Sequence, residues 1–181
     1  MKSILITILL TINFSIYLSA QNTALDTKNG FKDFTLGDNY LKWASNIVYT
    51  NTADANIKYY QYIGSCCQQV FNYNLAFIKL GFKDDKLQVI YLETENEEKI
   101  GNNWISDQYK SIKYSLIQLY GNSTNDTPAR ESDVKCGWFG NKVFLILTQE
   151  YMGTKLNAGN PKAEARCTIM IGIRSKPENG F

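Results

Sequence analysis

Apolar residues along this chain follow two rhythms, and the switches between them predict its elements. Residues Ile57 to Ile63 are rich in tyrosine and β-branched side chains, a strand pattern that stops at Gly64-Ser65-Cys66-Cys67. Leu75 to Phe82 and Leu87 to Glu93 are two apolar runs separated by the polar turn Lys83-Asp84-Asp85-Lys86, which predicts a β-hairpin with a four-residue loop. Strict alternation would put Ala76, Ile78, Leu80 and Phe82 on one face of the first strand, and Leu87, Val89 and Tyr91 on one face of the second. After the acidic stretch Glu93 to Lys99 the period becomes helical. Ile105, Tyr109, Ile112, Leu116 and Leu119 form one stripe from about Ser106 to Tyr120, with Gly121 placed as a C-terminal cap.

Three more strands are expected at Val134 to Phe139, Val143 to Tyr151 and Ala165 to Ile173. Gly140-Asn141 turns the first pair, and a long link from Met152 to Glu164 leads to the last strand. The unbroken apolar run Val143 to Leu147 predicts a strand that is central and covered. Upstream, Phe31 to Gly37 reads as an extended entry, and Asp38 as the N-cap of a short helix carrying Leu41, Ala44, Ile47 and Val48. The expected fold is therefore α+β: an antiparallel sheet of about six strands with two helices packed on one face, in the order helix, three strands, helix, three strands.

The first twenty residues stand apart from this pattern. Lys2, an apolar run from Ile4 to Leu18, and Ser19-Ala20 before Gln21 are the three parts of a cleavable export signal, so the expectation is cleavage after Ala20 and a periplasmic or secreted protein. Residues 21 to 30 are polar and expected to be loose, leaving 31–181 as a single domain. No later apolar run is long enough to span a bilayer. The full chain carries 19 basic and 17 acidic residues, a net charge of +2. Loss of Lys2 with the leader lowers that charge by one, and the remaining signs are interspersed, so no nucleic-acid partner is expected.

Composition also narrows the chemistry, because the chain contains no histidine. Ser-His and Cys-His catalysis and histidine-bearing zinc sites are excluded with it. Four cysteines remain, Cys66, Cys67, Cys136 and Cys167. In an exported protein an even number points to disulfides, with three possible connectivities. Cys136 and Cys167 would lie on strands flanking a middle one, about 10 Å apart and beyond disulfide reach, so bridges from Cys66 or Cys67 to the second half are favoured. A four-thiolate zinc site would show paired C-x2-C spacing, which the adjacent Cys66-Cys67 lacks. No metal and no cofactor are expected.

Phe31-Lys32-Asp33-Phe34-Thr35-Leu36-Gly37, then Leu80-Gly81-Phe82-Lys83-Asp84-Asp85-Lys86-Leu87, then a helix ending Leu119-Tyr120-Gly121, resembles small uncharacterised exported bacterial proteins of the β-lactamase-inhibitor-protein and BamE group of folds. The resemblance covers about half the mature chain and rests on structural punctuation. It implies a binding or envelope-associated role and carries over no catalytic residue.

Candidate binding residues are aromatic. Gly137-Trp138-Phe139-Gly140 places Trp138 and Phe139 at a hairpin tip, where an exposed indole would anchor a partner, although a large aromatic also suits the core. Alternation puts Tyr60 and Tyr62 on one face of their strand and Tyr59 on the other. The acidic residues Glu93, Glu95, Glu97 and Glu98, with Asp84 and Asp85, lack the glycine and ligand spacing of a calcium loop and read as solvated. The expected function is a monomeric, non-enzymatic exported domain that binds a protein or envelope component. The alternatives are a carrier of small hydrophobic ligands and a carboxylate-dependent hydrolase.

Overall fold

A computed structural model describes residues 24–53, 56–100, 105–124, 134–157 and 160–174. The leader and its cleavage point lie outside the described residues. Eleven strands are present among those described: β1 (Gly30–Phe31), β2 (Phe34–Thr35), β3 (Ile47–Ala53), β4 (Ile57–Tyr62), β5 (Gln69–Val70), β6 (Tyr73–Lys83), β7 (Lys86–Thr94), β8 (Glu97–Ile100), β9 (Val134–Phe139), β10 (Val143–Asn157) and β11 (Asn160–Ile173). Among the described residues the helical elements are a short segment over residues 24–28, here α1, the helix α2 (Asp107–Tyr120) and two 3-10 turns, Tyr40–Lys42 and Ala44–Asn46. The expected six-stranded α+β fold with two helices is thus corrected to a mostly β fold.

Nine strands form one antiparallel sheet whose main path runs β3-β4-β6-β7-β11-β10-β9, with β5 paired to β6 and β8 to β11. The two meanders meet where β7 lies beside β11, with Leu92 opposite Ile169 and Ile90 opposite Ile171. α2 joins them and packs over β10 and β11, while the separate β1–β2 hairpin lies on the same side. Buried Ile78, Leu80, Ile90, Leu92, Leu145, Leu147 and Ile169 face this side, against Ile112 and Leu116 of α2. A one-sided sheet needs such a cover because its apolar face cannot remain in water.

The first expected helix is absent because its residues find better partners in the sheet. Gly37 N–H donates to Leu87 O at 2.8 Å, Leu87 N–H to Asp38 O at 2.9 Å and Tyr40 N–H to Asp85 O at 2.8 Å. The 3-10 turn that follows is capped by the Asn39 side chain, which accepts from Leu41 N–H. Leu41 is 79% exposed and Val48 51%, so their helical spacing marks no buried stripe. Ile47 and Val48 instead pair in β3 with Tyr62 and Gln61.

Four further expectations change. The hairpin loop has two residues rather than four: Lys83 pairs with Lys86, and Asp84 and Asp85 take φ of 50° and 57°, as a tight primed turn requires. Irregularities between Leu75/Phe77 and Gly81/Phe82 reset the alternation, so Ala76 is exposed and Tyr91 faces away from Leu87. The link from Met152 to Glu164 is the end of a long β10–β11 hairpin, and Glu97–Ile100 of the expected charged loop is a strand on its flank. Residues 24–30 are packed rather than loose. Leu25 is buried, and the Asp26 carboxylate accepts from the N–H groups of Asn141, Lys142 and Val143 at 2.9, 2.9 and 3.0 Å.

Candidate binding site

The far side of the sheet carries no described element. Its residues are the ones that alternate outward from the core, and glycines on three strands let large rings lie down upon it. A Cβ on Gly81 would come within 2.5 Å of Val89, 2.7 Å of the Tyr59 ring and 2.9 Å of Ile57. One on Gly172 would meet the Phe144 ring at 2.6 Å, and one on Gly137 the Phe139 ring at 2.9 Å. The space of each absent side chain is therefore taken by a neighbour's aromatic ring, which covers the backbone there.

Tyr59, Phe77, Lys79, Tyr91, Glu93, Asn51 and Thr168 surround a hollow of about 350 Å³ on this face. Tyr59 and Tyr91 meet edge to face at 5.9 Å, and Lys79 Nζ sits 5.3 Å from the Phe77 ring centre and 5.8 Å from that of Tyr59. Burial, followed by the Tyr91 hydroxyl, pushes Tyr59 up to about 12, so it stays a neutral hydrogen-bonding phenol at physiological pH. Beside the hollow, Arg166 is clamped between two carboxylates. Its Nη1 is 2.6 Å from Glu93, and its Nη2 is 2.8 Å from Glu150. Such a clamp fixes an otherwise flexible guanidinium in one orientation.

Of the aromatic residues singled out from sequence as binding candidates, only Tyr59 lines this hollow, and Glu93, read from sequence as a solvated acid, lines it as well. Phe139 lies half-buried on the same face, over Gly137. Tyr60 and Tyr62 point to the other face, as alternation requires. Tyr60 packs against Tyr40 at 5.2 Å and Phe82 at 5.8 Å, and buried Tyr62 packs against Phe34 at 5.0 Å. The proposed role of Trp138 as an exposed anchor is corrected. Trp138 is 4% exposed, and its Nε1–H donates to Gly121 O at 2.7 Å, at the end of α2. Tyr91 was missed because the irregularity at Gly81/Phe82 turns it away from Leu87, whereas Phe77 and Lys79 lie on the face opposite Ile78 and Leu80, as alternation requires, but were not singled out as candidates.

No protein-family model, curated protein or solved structure matches this chain.

A second concavity lies on the packed side, between the end of α2 and the sheet. It measures about 290 Å³ and is lined by Phe31, Val70, Phe71, Leu92, Leu116, Leu119, Tyr120, Leu145, Ile169 and Ile171, with exposed Lys28 and Lys32 on its margin. Leu119 is 47% exposed there, although the helical stripe assigned it to the core.

All four cysteines are free in the structure, so the expected bridge from Cys66 or Cys67 to the second half is not formed. Cys136 and Cys167 are fully buried on strands flanking β10, and the Tyr109 hydroxyl lies 3.2 Å from Cys136 Sγ. Burial pushes the Cys167 thiol up to about 12, which keeps it protonated and inert. Cys66 and Cys67 sit apart from these, in the loop after β4, where the Tyr62 hydroxyl lies 3.1 Å from Cys66 Sγ. Burial, then the hydrogen bond with Cys66, pushes Cys67 up to about 12. Among the described residues no helix is long and apolar enough to cross a membrane.

Proposed function

We propose that this chain is an exported, non-enzymatic binding domain whose open sheet face docks a segment of a partner protein. The observation that carries this reading is the hollow formed by Tyr59, Phe77, Lys79 and Tyr91 beside the clamped Arg166. Tyrosine, phenylalanine, methionine and arginine are the residue types enriched at the centres of protein interfaces, and Met170 lies half-buried on the same face, opposite Tyr91. Rings already held by their neighbours lose little freedom on binding. The absence of histidine supports a role without general acid–base chemistry, and the export reading of the leader supports an envelope or extracellular partner. The binding role implied by the sequence resemblance runs the same way.

The expected result of affinity capture from the native envelope is enrichment of a protein partner by the unaltered chain and at least tenfold less by a Tyr59→Ala/Tyr91→Ala variant of unchanged thermal stability. Loss of two central aromatics of a hot spot is sufficient for that effect. Equal recovery by both forms would remove the open face from the account.

One observation favours a second reading, a carrier of small apolar ligands. The cleft beside α2 is mainly apolar, with Lys28 and Lys32 on its margin where they would meet an anionic head group. Under that reading Leu119→Asp, rather than the tyrosine pair, abolishes binding.

A further inference from the structure

Side chains of adjacent residues on extended backbone point to opposite sides, so neighbouring cysteines ordinarily diverge. In the loop after β4 they converge. Cys67 has φ of 69°, a left-handed conformation uncommon for a residue with a side chain, and the kink it makes gathers both sulfurs on one side. Asp33 reaches the same spot from the turn between β1 and β2. The two Sγ atoms and a carboxylate oxygen of Asp33 all lie within 4.8 Å of one another, and Cys67 Sγ–H points to Asp33 Oδ2 at 3.8 Å.

Local devices hold this arrangement in place. The Tyr62 hydroxyl is 3.1 Å from Cys66 Sγ, and Gly64 is the residue that lets it approach, since a Cβ there would lie 2.2 Å from that hydroxyl oxygen. Gln68 Nε2–H donates to Gly64 O at 2.8 Å and closes the loop. Lys42 donates to the Asp33 backbone carbonyl at 3.3 Å, but its charge is paired with Asp38 at 2.8 Å.

We propose that Asp33, Cys66 and Cys67 form a binding site for one thiophilic divalent metal ion of the zinc class, held by two thiolates and one carboxylate with a fourth position open to water. A tetrahedral ion with metal–sulfur bonds of about 2.3 Å and metal–oxygen bonds of about 2.1 Å needs its ligands roughly 3.5–3.8 Å apart. Small side-chain rotations close the gap from the observed spacing. Thiolates select zinc and cadmium over magnesium and calcium, and binding releases the two thiol protons to solvent. The site escapes the usual spacing rule because its sulfurs are adjacent in sequence and its oxygen comes from another hairpin.

Cadmium ion alone serves as the probe, added anaerobically to the reduced full chain while the thiolate-to-metal charge-transfer absorbance is followed. The expected result is one equivalent bound, no band with Cys66→Ser or Cys67→Ser, and about tenfold weaker binding with Asp33→Asn. Cys136→Ala, in the core beneath α2, leaves the band unchanged. Because replacing a buried thiol can disturb the loop, protection of the unaltered chain is measured as well. Zinc should slow alkylation of Cys66 at least tenfold, and magnesium should not. Absence of both band and protection overturns the proposal. So does a band that persists in a Cys66→Ser/Cys67→Ser double variant, or isolation of the chain from its native compartment solely as a Cys66–Cys67 disulfide.

Discussion

Trp138→Ala is expected to lower the unfolding free energy by about 3–5 kcal/mol, the range for truncating a buried aromatic. The indole is 4% exposed and lies on β9 opposite Leu145 of β10, on the side covered by α2. Two losses add together. The cavity forfeits packing around Leu145, and Gly121 O loses its donor at the end of α2, where the carbonyl has no partner within the helix. Gly121 itself has φ of 76° and donates its N–H to Ile117 O, so the indole completes the cap rather than merely filling space beside it. Chemical denaturation of the two forms checks this, through a lower midpoint at an unchanged slope. A loss below about 1 kcal/mol would indicate a surface tryptophan and restore the exposed-anchor expectation.

Gly81→Val is expected to act on both stability and binding. The new side chain needs the space now filled by Val89, the Tyr59 ring and Ile57, whose atoms lie at 2.5, 2.7 and 2.9 Å from an ideal Cβ. Overpacking of this kind costs about 1–3 kcal/mol, and the expected relief is a swing of the part-exposed Tyr59 ring off the sheet. Lys79 would lose the ring it lies over, and Tyr91 its edge-to-face partner. Thermal unfolding reports the first effect, and partner capture the second, with recovery at least tenfold lower even at temperatures where the variant is fully folded. Full stability with unchanged binding would mean that Tyr59 does not depend on Gly81 for its position.

The elements that sequence pattern located well are those whose partners are local. The strands of the β6–β7 hairpin, α2 with its Gly121 end, β9, and the Val143–Tyr151 and Ala165–Ile173 parts of β10 and β11 all follow from nearby residues. Side-chain direction was less legible, because a bulge shifts every following residue by one face. The irregularity at Gly81/Phe82 places Ile90 and Leu92 in the core and turns Tyr91 outward, which no count of alternating apolar residues reveals. The segment from Asp38 to Val48 misled for a different reason. Its apolar spacing fits a helix, yet its backbone groups are taken by β7 and its last residues by β4. Both are long-range bonds, and local propensity yields to them. The cysteines show the same limit: their types and number were plain, but convergence on Asp33 depends on one left-handed residue and on the meeting of two hairpins.

The central claim is that α2 and the β1–β2 hairpin close one face of the sheet, and that the other, which no element among the described residues covers, is where we propose a partner docks. Hydroxyl-radical footprinting of the full chain, alone and bound to its captured partner, tests it most directly. The account predicts that binding protects Phe77, Tyr91 and Met170 and leaves Phe31, Phe71 and Leu119 as reactive as before. Protection confined to Phe31, Phe71 and Leu119, with Phe77 and Tyr91 unchanged, would contradict it and place the function in the cleft beside α2.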